Sequence, residues 1–293
     1  MRYDIVLNQP RLQITMSDMS SNTITFIGAG NMATSLIGGL VADGYEPKSI
    51  IASDPDEGKL TDLSARFGIR QAADNRSAIE QADVVVLAVK PQILEQLCAE
   101  IRETVQQRQP LLVSIAAGIR EADIQRWLGG DVTLVRTMPN TPAMLQSGAT
   151  VLHAGDKVST AQRDLAESIL RAVGLTRWVD DEALLDTATA LSGSGPAYFF
   201  LVMEAMEAAA IGNGLPADTA RLLTIQTALG AARMAIESSD SPATLRQKVT
   251  SPGGTTERAV SILEQGNIRN LFEQAISGAC ERSRELSNML GKQ

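Results

Sequence analysis

"FIGAGNMA", residues 26–33, decides how this chain folds. Gly28, Gly30 and Ala33 stand in the GxGxxG/A spacing. The apolar run "TITFIG" (23–28) precedes them, and "NMATSLIGGLVADG" (31–44) follows with helical spacing. An ordinary strand–helix turn can show the same three residues. The strand before and the helix after favour a dinucleotide-binding turn. Gly28 permits the tight turn, Gly30 lets a pyrophosphate approach the backbone, and Ala33 lets the helix pack close to the strand. Gly28, Ala29, Gly30, Asn31 and Met32 are therefore candidate cofactor contacts, with amides at the helix start facing the phosphates.

Outward from this turn, strand and helix patterns alternate. "SIIASD" (49–54) predicts a second strand and "EGKLTDLSARFG" (57–68) a second helix with a glycine stop. "ADVVVLAVK" (82–90) is a β-branched run of the kind buried on both faces, and Pro91 suits the first turn of the next helix. "PLLVSIAAG" (110–118) and "DVTLVRTMP" (131–139) add two more strands, and "GATVLHAG" (148–155) and "TRWVD" (176–180) flank a helix at 159–173. The pattern predicts an α/β fold, an N-terminal Rossmann-type doubly wound sheet finishing with one antiparallel strand.

The ends of these strands should line one crevice. Asp54 stands where a carboxylate accepts from both adenosine ribose hydroxyls, and it would repel a 2′-phosphate. Ser53 and Asn75 could still contact such a phosphate, so NADH is favoured and NADPH stays open. Asp54 could also do no more than start the turn before Pro55. Lys90 leaves its strand at the crevice mouth, facing a ligand or simply solvent.

After about Asp181 the strand patterns stop. Ala, Leu and Met recur at helical spacing to the end of the chain, which predicts a C-terminal all-α domain. The expected division is an extension at 1–22, a dinucleotide domain at 23–180 and a helical domain at 181–293. Helices apolar on more than one face bury the extra face against another subunit, or else form a large internal core. Residues 1–22 show no basic region followed by an apolar one, so they are expected to be a disordered extension rather than a signal peptide. With Met16 and Met19 just before the first strand, a start codon set too early gives the same pattern.

Composition narrows the partners. The 293 residues are 44% apolar and 20% charged, with a net charge of -8. An acidic balance disfavours nucleic acid and anionic membrane, and no run of 18 apolar residues occurs. Two cysteines, Cys98 and Cys280, fit a reducing cytoplasm better than a disulfide framework. His153 is the only histidine, so a histidine-rich metal site is impossible and no metal is expected. It falls in a strand, where a structural role is the commoner one. No lysine lies between Lys157 and Lys248. Few residues remain to protonate a ketone oxygen, whereas a protonated imine already carries its proton and needs only close approach and a good angle.

A second anion-type loop, "VTSPGGTTERAV" (249–260), precedes another helical pattern. A helix start capped by Ser or Thr gives a similar stretch. Together with "AVKP" (88–91) and "SIAAG" (114–118), the motifs "FIGAGNMA", "VRTMPNTPA" (135–143), "LSGSGPAYFF" (191–200) and "VTSPGGTTERA" (249–259) resemble the pyrroline-5-carboxylate reductase family over about residues 23–290.

The resemblance implies reduction of a cyclic imino acid to proline with NADPH or NADH. It also implies a helical domain that forms a homodimer, in some members a decamer, and completes the partner's site. By the same resemblance Gly28–Met32 hold the pyrophosphate and Ser53, Asp54 and Asn75 the adenosine side. Ala88, Val89, Lys90 and Pro91 supply strand-end contacts, and Asn140 shapes the nicotinamide pocket. Gly253, Gly254 and Thr255 offer amides to the substrate carboxylate, with Ser251 in the same loop, and the Thr256 hydroxyl is the catalytic contact to the ring nitrogen. Many members carry serine in place of Asp54. A reductase of another imine or 2-oxo acid, or a non-catalytic dinucleotide sensor, shares much of this pattern.

Overall fold

The computed structural model describes residues 22–291, so all but Asn22 of the expected extension lies outside the described residues. Strands β1 (Ile24–Ile27), β2 (Ile50–Ser53), β3 (Arg70–Gln71), β4 (Val84–Leu87), β5 (Leu111–Ser114), β6 (Thr133–Met138), β7 (Gly148–Ala154) and β8 (Gly174–Trp178) form one sheet in the order β3-β2-β1-β4-β5-β6-β7-β8. The first six run parallel. This is the doubly wound order, with β1 and β4 at the switch point.

The expected single antiparallel strand is corrected to two. β7 turns back against β6, and β8 pairs parallel to β7, so both run against the first six. The link from β6 to β7 is only a short 3₁₀ turn at Thr141–Leu145, too short for a parallel crossover. The helix at Thr160–Arg171 does cross over, and it sets β8 parallel to β7. Ser159 caps that helix in a reciprocal pair with Gln162.

Each central strand feeds two cores, because successive side chains point to opposite faces. Ile24, Phe26, Val84 and Val86 pack with helix α1 (Asn31–Ala42) on one face. Ile27, Val85 and Leu87 pack with helix α4 (Pro91–Arg108) on the other. Burying each such Ile, Val or Leu contributes about 1.5–3 kcal/mol, so the crevice rests on a stiff base. Helix α2 (Glu57–Phe67) is capped by Asp56, and the short helix α3 (Asn75–Glu80) by Asp74.

By its contacts the chain divides into two units. One is the sheet with its helices, rejoined from Ser277 by the end of the last helix (Ile268–Leu290). Ser283 Oγ donates to Asp186 Oδ1 at 2.6 Å, and an Arg126 guanidinium nitrogen donates to the Gly291 carbonyl at 2.6 Å, which ties that end down. The other unit, Gly195–Ile276, is helical throughout. Its helices Gly195–Gly212 and Ala217–Glu237 pack on each other yet leave Phe199, Phe200, Leu201 and Leu222 each more than 60% exposed. So much exposed apolar surface calls for cover by another molecule. No described helix is long and apolar enough to cross a membrane.

Candidate active site

The turn after β1 is built as its glycines require. Gly28 has φ +104°, and a Cβ there would stand 2.5 Å from the Ala88 carbonyl oxygen. Its amide donates to the Ser53 carbonyl at 2.8 Å, which locks the turn to β2. Gly30 is different: its φ of -76° suits any residue, and a Cβ there would meet no atom within 4 Å. Packing within the chain does not demand glycine at 30; its bare backbone leaves room for a ligand to approach closely. The first amide to close inside α1 is that of Thr34, which donates to the Gly30 carbonyl at 2.9 Å. The amides of Asn31, Met32 and Ala33 thus form a first turn without internal acceptors, suited to a pyrophosphate.

Ser53, Asp54 and Asn75 come together beside this turn. Asp54 Oδ2 accepts from the Ala29 amide at 2.8 Å, and Oδ1 from the Asp56 amide at 2.9 Å. Ser53 Oγ donates to Asn75 Oδ1 at 2.8 Å, and Asn75 Nδ2 donates to Glu100 Oε1 at 3.1 Å. Ala88 follows β4, and its amide donates to the Ile27 carbonyl at 2.8 Å. Val89 and Lys90 lead into α4, with Lys90 as its exposed N-cap and Pro91 at its first position.

Asn140 is committed to two backbone groups. Its Nδ2 donates to the Ser192 carbonyl at 3.0 Å, and its Oδ1 accepts from the Ala149 amide at 2.8 Å. The "PNTPA" turn is thereby fastened both to the "LSGSGP" corner and to the start of β7. The corner itself is a π-helical turn, Thr189–Gly193, where a Cβ on Gly193 would stand 2.7 Å from Met138 Cε.

The second loop belongs to the helical unit. Gly253 has φ +71°, and Gly254 is the N-cap of the helix Thr255–Gln265. Two of the three amides expected to take a carboxylate have partners inside the chain. Gly254 N donates to the Ser251 carbonyl at 3.0 Å, and Gly253 N donates to Glu257 Oε2 at 2.7 Å. The first amide to close inside the helix is that of Arg258, so the amides of Thr255 and Thr256 lie in the open first turn. The Thr256 side chain is half-buried, and its hydroxyl bonds to no described residue.

His153 is held away from any such role. Its Nδ1 lies 3.3 Å from the Val179 carbonyl, and its Nε2 lies 3.9 Å from Glu121 Oε2. Burial pushes the Glu121 carboxyl above the usual carboxylate range. Beside it, Glu182 Oε1 accepts from the Glu121 amide at 2.6 Å and from Arg136 at 2.5 Å. This part-buried pairing of strand β6 with the segment after β8 has no sequence signature.

Six parallel strands in this order, with a glycine turn open to a pyrophosphate at the switch point, make a dinucleotide-binding fold of the class that NAD(P)-dependent oxidoreductases use. Residues 23–118 match the family model described as NADP oxidoreductase, coenzyme F420-dependent. Residues 182–286 match the one described as pyrroline-5-carboxylate reductase dimerisation. The chain is 50% identical over 274 residues to the pyrroline-5-carboxylate reductase of Pseudomonas aeruginosa, covering 94% of this chain and all of that one. It is 37% identical to the reductase of Arabidopsis thaliana, covering 94% of this chain and 99% of that one. Among solved structures, a pyrroline-5-carboxylate reductase from Coxiella burnetii superposes with a TM-score of 0.88 at 48% identity, covering 90% of this chain and 98% of that one. This chain belongs to the pyrroline-5-carboxylate reductase family.

Proposed function

We propose that two helix starts divide one reaction: Gly28–Met32 hold a reduced dinucleotide and Gly253–Thr256 hold an imino acid. The enzyme reduces the cyclic imine pyrroline-5-carboxylate to proline, the last step of proline biosynthesis, with NADPH or NADH. When bound, the reduced nicotinamide supplies a hydride for the imine carbon. Asn31, Met32 and Ala33 bring three amides and a helix N-terminus to the pyrophosphate. Ser53, Asp54 and Asn75 take the adenosine side, and Ala88–Pro91 line the strand end.

At the second loop, the amides of Thr255 and Thr256 grip the substrate carboxylate, joined by that of Gly253 as the Glu257 carboxylate is displaced. Ser251 and Gly254 shape the loop through their own hydrogen bond. The protonated ring nitrogen donates to the Thr256 hydroxyl, which orients the imine. Because that nitrogen carries its proton already, no side chain has to deliver one, in keeping with a His153 that is bonded elsewhere. Asn140 shapes the nicotinamide side through the turn it fastens.

We take 23–180 as the dinucleotide domain and 181–293 as the substrate and dimerisation domain. The exposed Phe199, Phe200 and Leu222 support a homodimer, with a decamer as the larger assembly that light scattering would distinguish. The thiols of Cys98 and Cys280, both unlinked and buried, suit a cytoplasmic enzyme.

One observation carries the reading. In a member of this family, Thr256 presents, at an open helix start, a hydroxyl that bonds to no described residue. The purified protein is expected to oxidise a reduced dinucleotide when given pyrroline-5-carboxylate, and to leave an open-chain 2-oxo acid such as pyruvate untouched. Oxidation with pyruvate alone would contradict it.

A further inference from the structure

We infer that Asp54 makes NADH, rather than NADPH, the preferred hydride donor. This deepens the proposed function and rests on its assignment of the Gly28–Met32 turn to the dinucleotide.

Asp54 follows the last residue of β2 and is pinned from two sides. One carboxylate oxygen accepts from the Ala29 amide, in the glycine turn itself, and the other from the Asp56 amide. Its side chain is only 11% exposed. A carboxylate so held cannot swing away from an incoming group. Each oxygen keeps a lone pair for a ribose hydroxyl, which NADH offers on both ribose carbons. NADPH replaces one of these hydroxyls with a phosphate of about two negative charges, and a fixed carboxylate repels it.

The surroundings give that phosphate little in return. Asp56, the N-cap of α2, and Glu57, its first residue, follow Asp54, against a single Lys59 in the same helical turn. The Lys59 ammonium lies 3.7 Å from Asp56 and 3.9 Å from Asp54. Arg76, the cation next to Asn75, donates its Nε to the Glu100 carbonyl at 3.1 Å. Ser53 Oγ, the hydroxyl best placed to reach a phosphate, is spent on Asn75, whose amide leans on the Glu100 carboxylate. A 2′-phosphate would have to break that chain and then face Glu100 behind it. Lone pairs for hydroxyls are plentiful here, and the cations beside them among the described residues, Lys59 and Arg76, already have partners.

The test is equilibrium binding, read by the fluorescence of the reduced nicotinamide without substrate. The wild-type protein is expected to bind NADH about tenfold or more tighter than NADPH, because like charges brought together are strongly disfavoured. Asp54→Ser should weaken NADH and tighten NADPH, bringing the ratio to within about threefold or inverting it. Asp54→Asn keeps an acceptor for the Ala29 amide while removing the charge, so it guards against a collapsed turn. It should move the ratio in the same direction, with a melting temperature only slightly lowered by loss of the acceptor for the Asp56 amide. A wild-type preference for NADPH, or a ratio that Asp54→Asn leaves in place, overturns the assignment to Asp54 alone. Binding of neither dinucleotide overturns it together with the reading beneath it.

Discussion

Glu257 holds the amide of Gly253, its Oε2 2.7 Å from the nitrogen, within the loop assigned to the substrate carboxylate. A carboxylate from the same helix turn already sits on one of the donors proposed for the substrate. It also stabilises the helix start, where negative charge is favoured. On the proposed assignment, substrate would bind by exchange, one carboxylate for another. Glu257→Ala should lower KM for pyrroline-5-carboxylate by about two- to fivefold and lower stability by about 0.5–1 kcal/mol. Steady-state kinetics and a thermal melt measure both. A KM that rises would mean that Glu257 builds the loop rather than competes for it.

Thr256→Ala should lower kcat/KM by roughly ten- to a thousandfold, the range for one positioned hydrogen bond in a site. Thr256→Ser, which keeps the hydroxyl, should recover most of the rate. Equal rates for wild type and alanine variant would remove Thr256 from the mechanism.

Asn140 spans two backbone groups that lie far apart in sequence, Ser192 and Ala149. Asn140→Ala leaves a half-buried carbonyl and amide without partners, at a cost of about 1–3 kcal/mol. It should also lower kcat more than it weakens dinucleotide binding, because the glycine turn is untouched. Asn140→Asp restores the acceptor for Ala149 but sets an oxygen against the Ser192 carbonyl, so it should stay impaired. Full stability in both variants, by denaturant melts, would show that the turn stands without this side chain.

Glu167 gives a pH signature far from the site. Burial alone would raise its pKa, but donors from Trp178, Arg171 and Thr176 outweigh it and hold the carboxyl below the ordinary range. Trp178 Nε1 lies 2.7 Å from Oε2, and Thr176 Oγ1 lies 2.9 Å from Oε1. A carboxyl depressed in the folded state contributes stability above its unfolded pKa of about 4.3 and loses it as pH falls through the folded value. Glu167→Gln should therefore be destabilised near neutral pH, with the gap to wild type closing below about pH 4. A gap that is constant with pH would argue against an ionised Glu167.

What the sequence made legible was local. The Gly28-Gly30-Ala33 spacing, Pro91 at a helix start and the β-branched run of β4 each carry their meaning within a few residues, and the structure follows them. The apolar helices after Asp181 were legible too, since residues such as Phe199 and Leu222 recur without a polar face. What stayed hidden depends on partners distant in the chain or on very short elements. β3 is two residues long, and α3 is announced mainly by its Asp74 cap. The reversal of β8 along with β7 follows from a crossover helix whose direction no periodicity reveals. Asp54 reaching Ala29, Asn140 reaching Ser192 and Arg136 reaching Glu182 are pairs 25, 52 and 46 residues apart. Only the folded sheet brings them together.

The central claim is direct transfer of hydride from a reduced dinucleotide to a cyclic imine. It is tested most directly with NADH dideuterated at nicotinamide C4, mixed with the purified protein and pyrroline-5-carboxylate. The proline formed should carry one deuterium, on the ring carbon next to nitrogen and away from the carboxylate. Unlabelled proline, or no proline at all with either dinucleotide, would contradict the account.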